Sequence, residues 1–144
     1  MTTATPPVPG PVTGANLGVA YFAIRKNLLD VLDDYDLTFE QSLLLNYLSQ
    51  GEATRADLVA TTAGNIKVSA AEVESHLDAA IARGLIADGL TLTPEGEHLQ
   101  QQITERSRPL TRTFFADIPA DDLAATARVL ATLTERANAA LAAS

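Results

Sequence analysis

The chain has 144 residues, 47 % of them apolar, which suffices for one domain with a sizeable core and not for two independent ones. It carries no cysteine, which excludes disulfides, thiolate catalysis and cysteine-ligated metals, and its net charge of −8 opposes any nonspecific hold on nucleic acid or anionic membrane. No apolar run approaches the roughly 20 residues that span a bilayer, and the N-terminus lacks the basic-then-apolar pattern of a secretory signal, so a cytoplasmic protein without a membrane partner is expected.

Four of the seven prolines fall within residues 1–14, at Pro6, Pro7, Pro9 and Pro11, with Gly10 and Gly14 beside them. Proline lacks the amide proton that helices and sheets require, so this stretch is expected to be a flexible arm. From Asn16 to about Asp34 the apolar residues Leu17, Tyr21, Ile24, Leu28, Val31 and Leu32 recur at three-and-four spacing and predict an amphipathic helix. Thr38 with Gln41 forms the capping box of a second helix, whose buried side is Leu43, Leu44, Leu45 and Leu48 and which Gly51 closes.

Thr54 caps a short third helix from Arg55 to about Ala63, stopped by Gly64. Ser69 caps a fourth, with Glu72 at the reciprocal position of a capping box and Val73, Leu77, Ala80 and Ile81 facing inward before Gly84. Two short helices joined by a tight turn predict a helix-turn-helix. Leu85-Ile86-Ala87, Asp88-Gly89 and Leu90-Thr91-Leu92 then read as a small hairpin, Asp-Gly being favoured in a two-residue type I′ turn. Thr93-Pro94 opens a fifth helix carrying Leu99, Ile103, Leu110 and Phe114, with Pro109 as a kink. Ile118-Pro119 breaks the chain, and a last helix repeats Leu123, Ala127, Leu130, Leu133 or Thr134, Ala137 and Leu141, close to a seven-residue repeat. The apolar faces of the terminal helices exceed what the small central unit can cover, so a homodimer is expected.

The expected fold is therefore all-α with a small β-hairpin wing: a winged helix-turn-helix flanked by N- and C-terminal dimerisation helices. Its single domain covers residues 15–144, with a head at about 38–97 and dimerisation helices at about 16–34 and 98–142.

Three stretches, VSAAEVESHLDAAIARGLI (Val68–Ile86), LTLTPEGEHLQQQI (Leu90–Ile103) and FADIPADDLAATARVLATL (Phe115–Leu133), together resemble the MarR family of dimeric winged-helix regulators. The family's Leu-Thr-x-x-Gly reads here Leu92-Thr93-Pro94-Glu95-Gly96. The resemblance implies a recognition helix in Val68–Ile86, with Lys67, Ser69 and Ser75 as DNA-contacting residues. It also implies an effector site between the first two helices and the base of the fifth, lined by Tyr21, Phe22, Arg25, Phe39, Tyr47 and Phe114. Tyrosine and arginine on an apolar wall suit an aromatic or acidic small molecule.

The head departs from what double-stranded DNA requires. Residues 51–98 hold three basic side chains (Arg55, Lys67, Arg83) against eight acidic ones, a net of −5. The outward positions Ala70, Ala71, Glu74, Ser75 and Asp78 include no cation, and the hairpin tip Asp88-Gly89 has none where family members carry an arginine. Phosphate neutralisation supplies most nonspecific affinity for DNA, so binding is expected to be weak or atypical.

With two histidines, His76 and His98, 22 residues apart, no metal site is expected, and no cofactor motif is present. An enzyme would draw its acid or base from Asp36, Tyr47, His76 and His98, which show no diagnostic spacing. Three functions stay open: a ligand-responsive transcriptional regulator, a protein of the same fold that has lost DNA binding and holds a small molecule or acts as an enzyme, and an interaction protein that masks another regulator.

Overall fold

The computed structural model describes residues 10–144. Most of the expected proline-rich arm therefore lies outside the described residues. Six helices form: α1 (Gly14–Asp33), α2 (Phe39–Ser49), α3 (Arg55–Ile66), α4 (Ala70–Ala82), α5 (Pro94–Phe115) and α6 (Ala120–Ala142). The chain divides into two compact units, Met1–Arg108 and Pro109–Ser144.

In the first unit α1 begins two residues before the expected Asn16. Thr13 caps it, accepting from the Asn16 N–H at 3.2 Å, while Asn16 Oδ1 accepts from the Thr13 N–H at 2.8 Å. This capping box satisfies two otherwise orphaned amides and fixes the start of the helix. Thr38 and Gln41 form the same reciprocal box on α2, as expected. Helices α2, α3 and α4 pack on one another and α1 packs on α2. Leu32, Leu44, Leu45, Leu58, Val73, Leu77 and Ile86 are completely buried, and Leu99 and Ile103 add the first half of α5 to that core. Arg83, at the end of α4, locks the α1–α2 connection by donating to the backbone carbonyls of Asp36 (2.7 Å) and Tyr35 (2.6 Å).

Gly64 does not stop α3. The helix continues through it to Ile66 and ends at Lys67, which is left-handed with φ +60°. An interior glycine weakens a helix by only about 1 kcal/mol, and capping at Lys67 satisfies the Ala63 carbonyl, which accepts from the Val68 N–H at 3.2 Å.

The wing differs more. Among the described residues there is no strand, only a single antiparallel bridge between Ile86 and Leu92. The type I′ turn is also absent, because it needs positive φ at both central residues and in this loop only Leu90 has one, at φ +59°. Ala87 instead donates its N–H to the Thr91 carbonyl (2.8 Å) and accepts from the Leu90 N–H (2.9 Å). That is a three-residue loop, a type I turn closed by a left-handed residue. Leu90 occupies the strained position while its side chain is buried at 7 % exposure, so burial rather than turn propensity sets the register. Pairing ends at once because Thr93, two residues beyond Leu90's neighbour Thr91, already caps α5, accepting from the Gly96 N–H at 3.0 Å and donating to the Gly84 carbonyl at 2.5 Å.

Helix α5 contains Pro109 in its interior, as expected, at the point where the two units meet in sequence. In the second unit Asp117, at φ +62°, turns the chain towards α6. Helix α6 buries none of its residues: Val129, Leu130, Leu133 and Leu141 are 46 %, 43 %, 38 % and 59 % exposed. No helix among the described residues is long and apolar enough to cross a membrane.

Candidate functional site

The helix-turn-helix face is built by α3 and α4, and its three cations are all engaged. Arg55, in the first turn of α3, reaches across to α4 and donates to Asp78 Oδ1 at 2.6 Å and to Glu74 Oε1 at 3.3 Å. The Asp78 hydrogen bond is the main reason the Arg55 guanidinium titrates above its ordinary range; desolvation opposes it and Glu74 adds to it. The Lys67 ammonium folds back onto the Gly64 carbonyl at 2.5 Å. Arg83 is held by the Tyr35 and Asp36 carbonyls. Glu74 and Asp78, the two acidic outward positions of α4, are thus both paired with Arg55.

Of the residues expected to contact DNA, Lys67 and Ser69 lie in the turn just before α4. Ser69 Oγ is its N-cap, accepting from the Glu72 N–H at 3.1 Å, so that hydroxyl already serves the helix. Ser75 is exposed on α4. The Ser69–Glu72 box forms only in this half: the Glu72 carboxylate lies with Glu40 and His76, their ligand atoms all within 4.8 Å of one another. Weighing His76 against His98 alone misses this grouping, for which the four-residue spacing of Glu72 and His76 is the one local signal. Of the four acid–base candidates, His76 meets Thr38 (3.3 Å) and Glu40 (3.7 Å), neither of which is among them.

The expected effector residues are distributed over both units. Tyr21 and Phe22 on α1 make an edge-to-face pair with ring centroids 5.5 Å apart, and both are exposed, at 50 % and 64 %. Arg25, one turn on, stacks its guanidinium over the Phe39 ring at 4.8 Å, joining α1 to the first turn of α2. Tyr47 is half-buried near the end of α2, and Phe114 belongs to the second unit. At this same C-terminal end of α2 a groove of about 520 Å³ opens between Leu48, Gly51 and Glu52, the wing residue Leu90, and Glu97 and Gln101 of α5. Its two carboxylates do not match an acidic ligand. Beside α1, Arg106 pairs with Asp34 at 2.8 Å, and its pKa is raised first by the Tyr35 hydroxyl and then by that carboxylate.

No family model matches the chain, and no curated protein matches it. Solved structures do. Ligand-free NadR aligns over 88 % of this chain and 99 % of its own, at 21 % identity and TM-score 0.71. A MarR family protein from Bacillus stearothermophilus aligns over 86 % of this chain and 91 % of its own, at 16 % identity and TM-score 0.63. The fold is that of the MarR family. A third neighbour, BpsR of Bordetella bronchiseptica, whose DNA binding is regulated by 6-hydroxynicotinic acid, aligns over 87 % of this chain and 99 % of its own, at 26 % identity and TM-score 0.66. The MarR-type winged helix here is all-helical, its wing reduced to the single Ile86–Leu92 bridge.

Proposed function

We propose that the chain is a small-molecule-responsive transcriptional regulator of the MarR type that works as a cytoplasmic homodimer and binds DNA weakly or in an atypical way. The observation that carries the weak-binding part is the Arg55 link to Glu74 and Asp78. A phosphate must compete with two carboxylates for that arginine, in a head whose net charge is −5 over residues 51–98. Lys67, Ser69 and Ser75 are the remaining proposed DNA-facing residues, at the start and on the exposed side of α4.

The test is a mobility shift at low salt with DNA flanking the chain's own gene, comparing wild type with the double variant Glu74→Gln/Asp78→Asn. Wild type should bind with micromolar affinity. The variant, with Arg55 released, should bind more tightly, and its log–log salt slope should steepen by about 1 for each further phosphate that it neutralises. Absence of any shift for either well-folded protein at micromolar concentration would sink the regulator reading.

A second reading is supported by the stacked Arg25 and Phe39: a protein of this fold that binds a small molecule and has given up DNA. Guanidinium and ring together suit an aromatic carboxylate, the chemical class of the acid that regulates BpsR. The proposed site takes Tyr21, Phe22, Arg25, Phe39 and Tyr47 from the first unit. A thermal-shift screen of aromatic acids, 6-hydroxynicotinic acid included, tests it; a flat response across the panel overturns it.

A further inference from the structure

We propose that Glu40, Glu72 and His76 form a binding site for a divalent transition-metal ion, Zn²⁺ being the best match to one imidazole and two carboxylates. The inference is independent of whether the head binds DNA. Glu72 and His76 stand four residues apart on α4 and so project from one face, while Glu40 comes from the first turn of α2. All three offer ligand atoms within 4.8 Å of one another, and His76 Nε2 lies 3.7 Å from Glu40 Oε2. Tetrahedral zinc with bonds of about 2.0–2.1 Å needs ligand atoms about 3.4 Å apart, so modest side-chain rotation closes the site and leaves a fourth position for water.

Three further observations fit a metal. Nδ1 of His76 is 3.3 Å from Thr38 Oγ1. In the tautomer that donates from Nδ1 to this hydroxyl, the Nε2 lone pair faces the Glu40 carboxylate, and the two atoms can share a cation placed between them. Hydrogen bonding of the second imidazole nitrogen is the usual way a ligating histidine is oriented. The Glu40 and His76 side chains are only 20 % and 24 % exposed, so the carboxylate is partly stripped of the water that would otherwise stabilise it. Finally, Glu72 stands where a capping box would send its carboxylate back to the Ser69 N–H, yet that half of the box is missing and the carboxylate lies beside Glu40 instead. Two carboxylates brought together repel each other, and a dication removes that cost. An ion here fastens the first turn of α2 to α4.

The experiment uses the untagged full chain, stripped with chelator and titrated with ZnCl₂ by calorimetry and by thermal melting. One Zn²⁺ per chain should bind and raise the melting temperature. Glu72→Gln and His76→Gln should each weaken binding by about tenfold or more, whereas His98→Gln should leave it unchanged. Co²⁺ in place of Zn²⁺ should give a tetrahedral d–d absorption that both variants lose. Glu72 is exposed and its cap uses only its backbone N–H, so Glu72→Gln should melt like wild type in chelator and decides the matter should His76→Gln fail to fold. No saturable uptake by wild type, or uptake equal in wild type and Glu72→Gln, overturns the proposal.

Discussion

The backbone carbonyl of Leu85 presses so closely on Gly96 that a Cβ built on that glycine would overlap the carbonyl oxygen. This contact joins the wing to the first turn of α5, next to the Thr93 cap. Gly96→Ala should therefore force α5 away from the wing and destabilise the fold by about 1–3 kcal/mol, the range for overpacking a tight site. Gly18→Ala is the matched control: it lies within α1 with nothing near its missing Cβ, so it should stabilise by about 0.5–1 kcal/mol. Thermal melts of the two variants should move in opposite directions, and a Gly96→Ala melt equal to wild type would show that the wing and α5 can part at no cost.

Leu90 sets two terms against each other. Its left-handed backbone costs about 1–2 kcal/mol, and burial of its side chain returns about 1.5–3 kcal/mol. Leu90→Gly removes both, so the net loss should be small, about 1 kcal/mol, whereas Leu90→Ala keeps the backbone strain and loses most of the burial. Chemical denaturation should rank the proteins wild type, Leu90→Gly, Leu90→Ala in falling stability. The reverse order of the two variants would mean that the strain is not there.

Substitution of Arg25 or Phe39 separates ligand binding from folding. The Arg25 guanidinium over Phe39 is a surface interaction contributing about 0.5–1 kcal/mol, so Arg25→Met should barely change the melting temperature. The same change should abolish the thermal shift given by any aromatic acid that stabilises wild type. An acid that still shifts Arg25→Met by the same amount binds elsewhere.

The exposed leucines of α6 are the expected seam of the homodimer. Leu130→Glu or Leu133→Glu places a charge on an apolar face that gains nothing from solvent, and neither side chain is buried in the chain itself. Light scattering should report a dimer for wild type and a folded monomer for each variant. A monomeric wild type, or dimers unchanged by both substitutions, would refute this seam.

Local rules read well from the sequence wherever a single side chain settles a backbone group. Thr38, Thr54 and Ser69 cap their helices because an oxygen at that offset has one obvious amide to accept. The same rules failed where a distant contact outweighed them. The Asp88-Gly89 pair lost the turn to burial of Leu90, Gly64 was carried through by the cap at Lys67, and Glu72 left its box for a neighbour 32 residues away in α2. The Arg55 pairing spans 19 and 23 residues, so no local pattern announces it. The acidity of the head was legible from counting; which carboxylates hold its arginine required the packing of α3 on α4.

The wing turns over in three residues between Ala87 and Thr91, with Ala87 donating to the Thr91 carbonyl and accepting from the Leu90 N–H. Loop closure entropy grows so slowly that doubling the length of such a connection costs only about 0.6 kcal/mol. Residues can therefore be added to this tip ahead of Leu90 at small entropic cost, whereas loss of Leu90 itself removes a buried side chain. Length added between Asp88 and Gly89 costs little as long as Leu90 keeps its buried place, so a longer, arginine-bearing tip grafted there should leave the remaining scaffold folded.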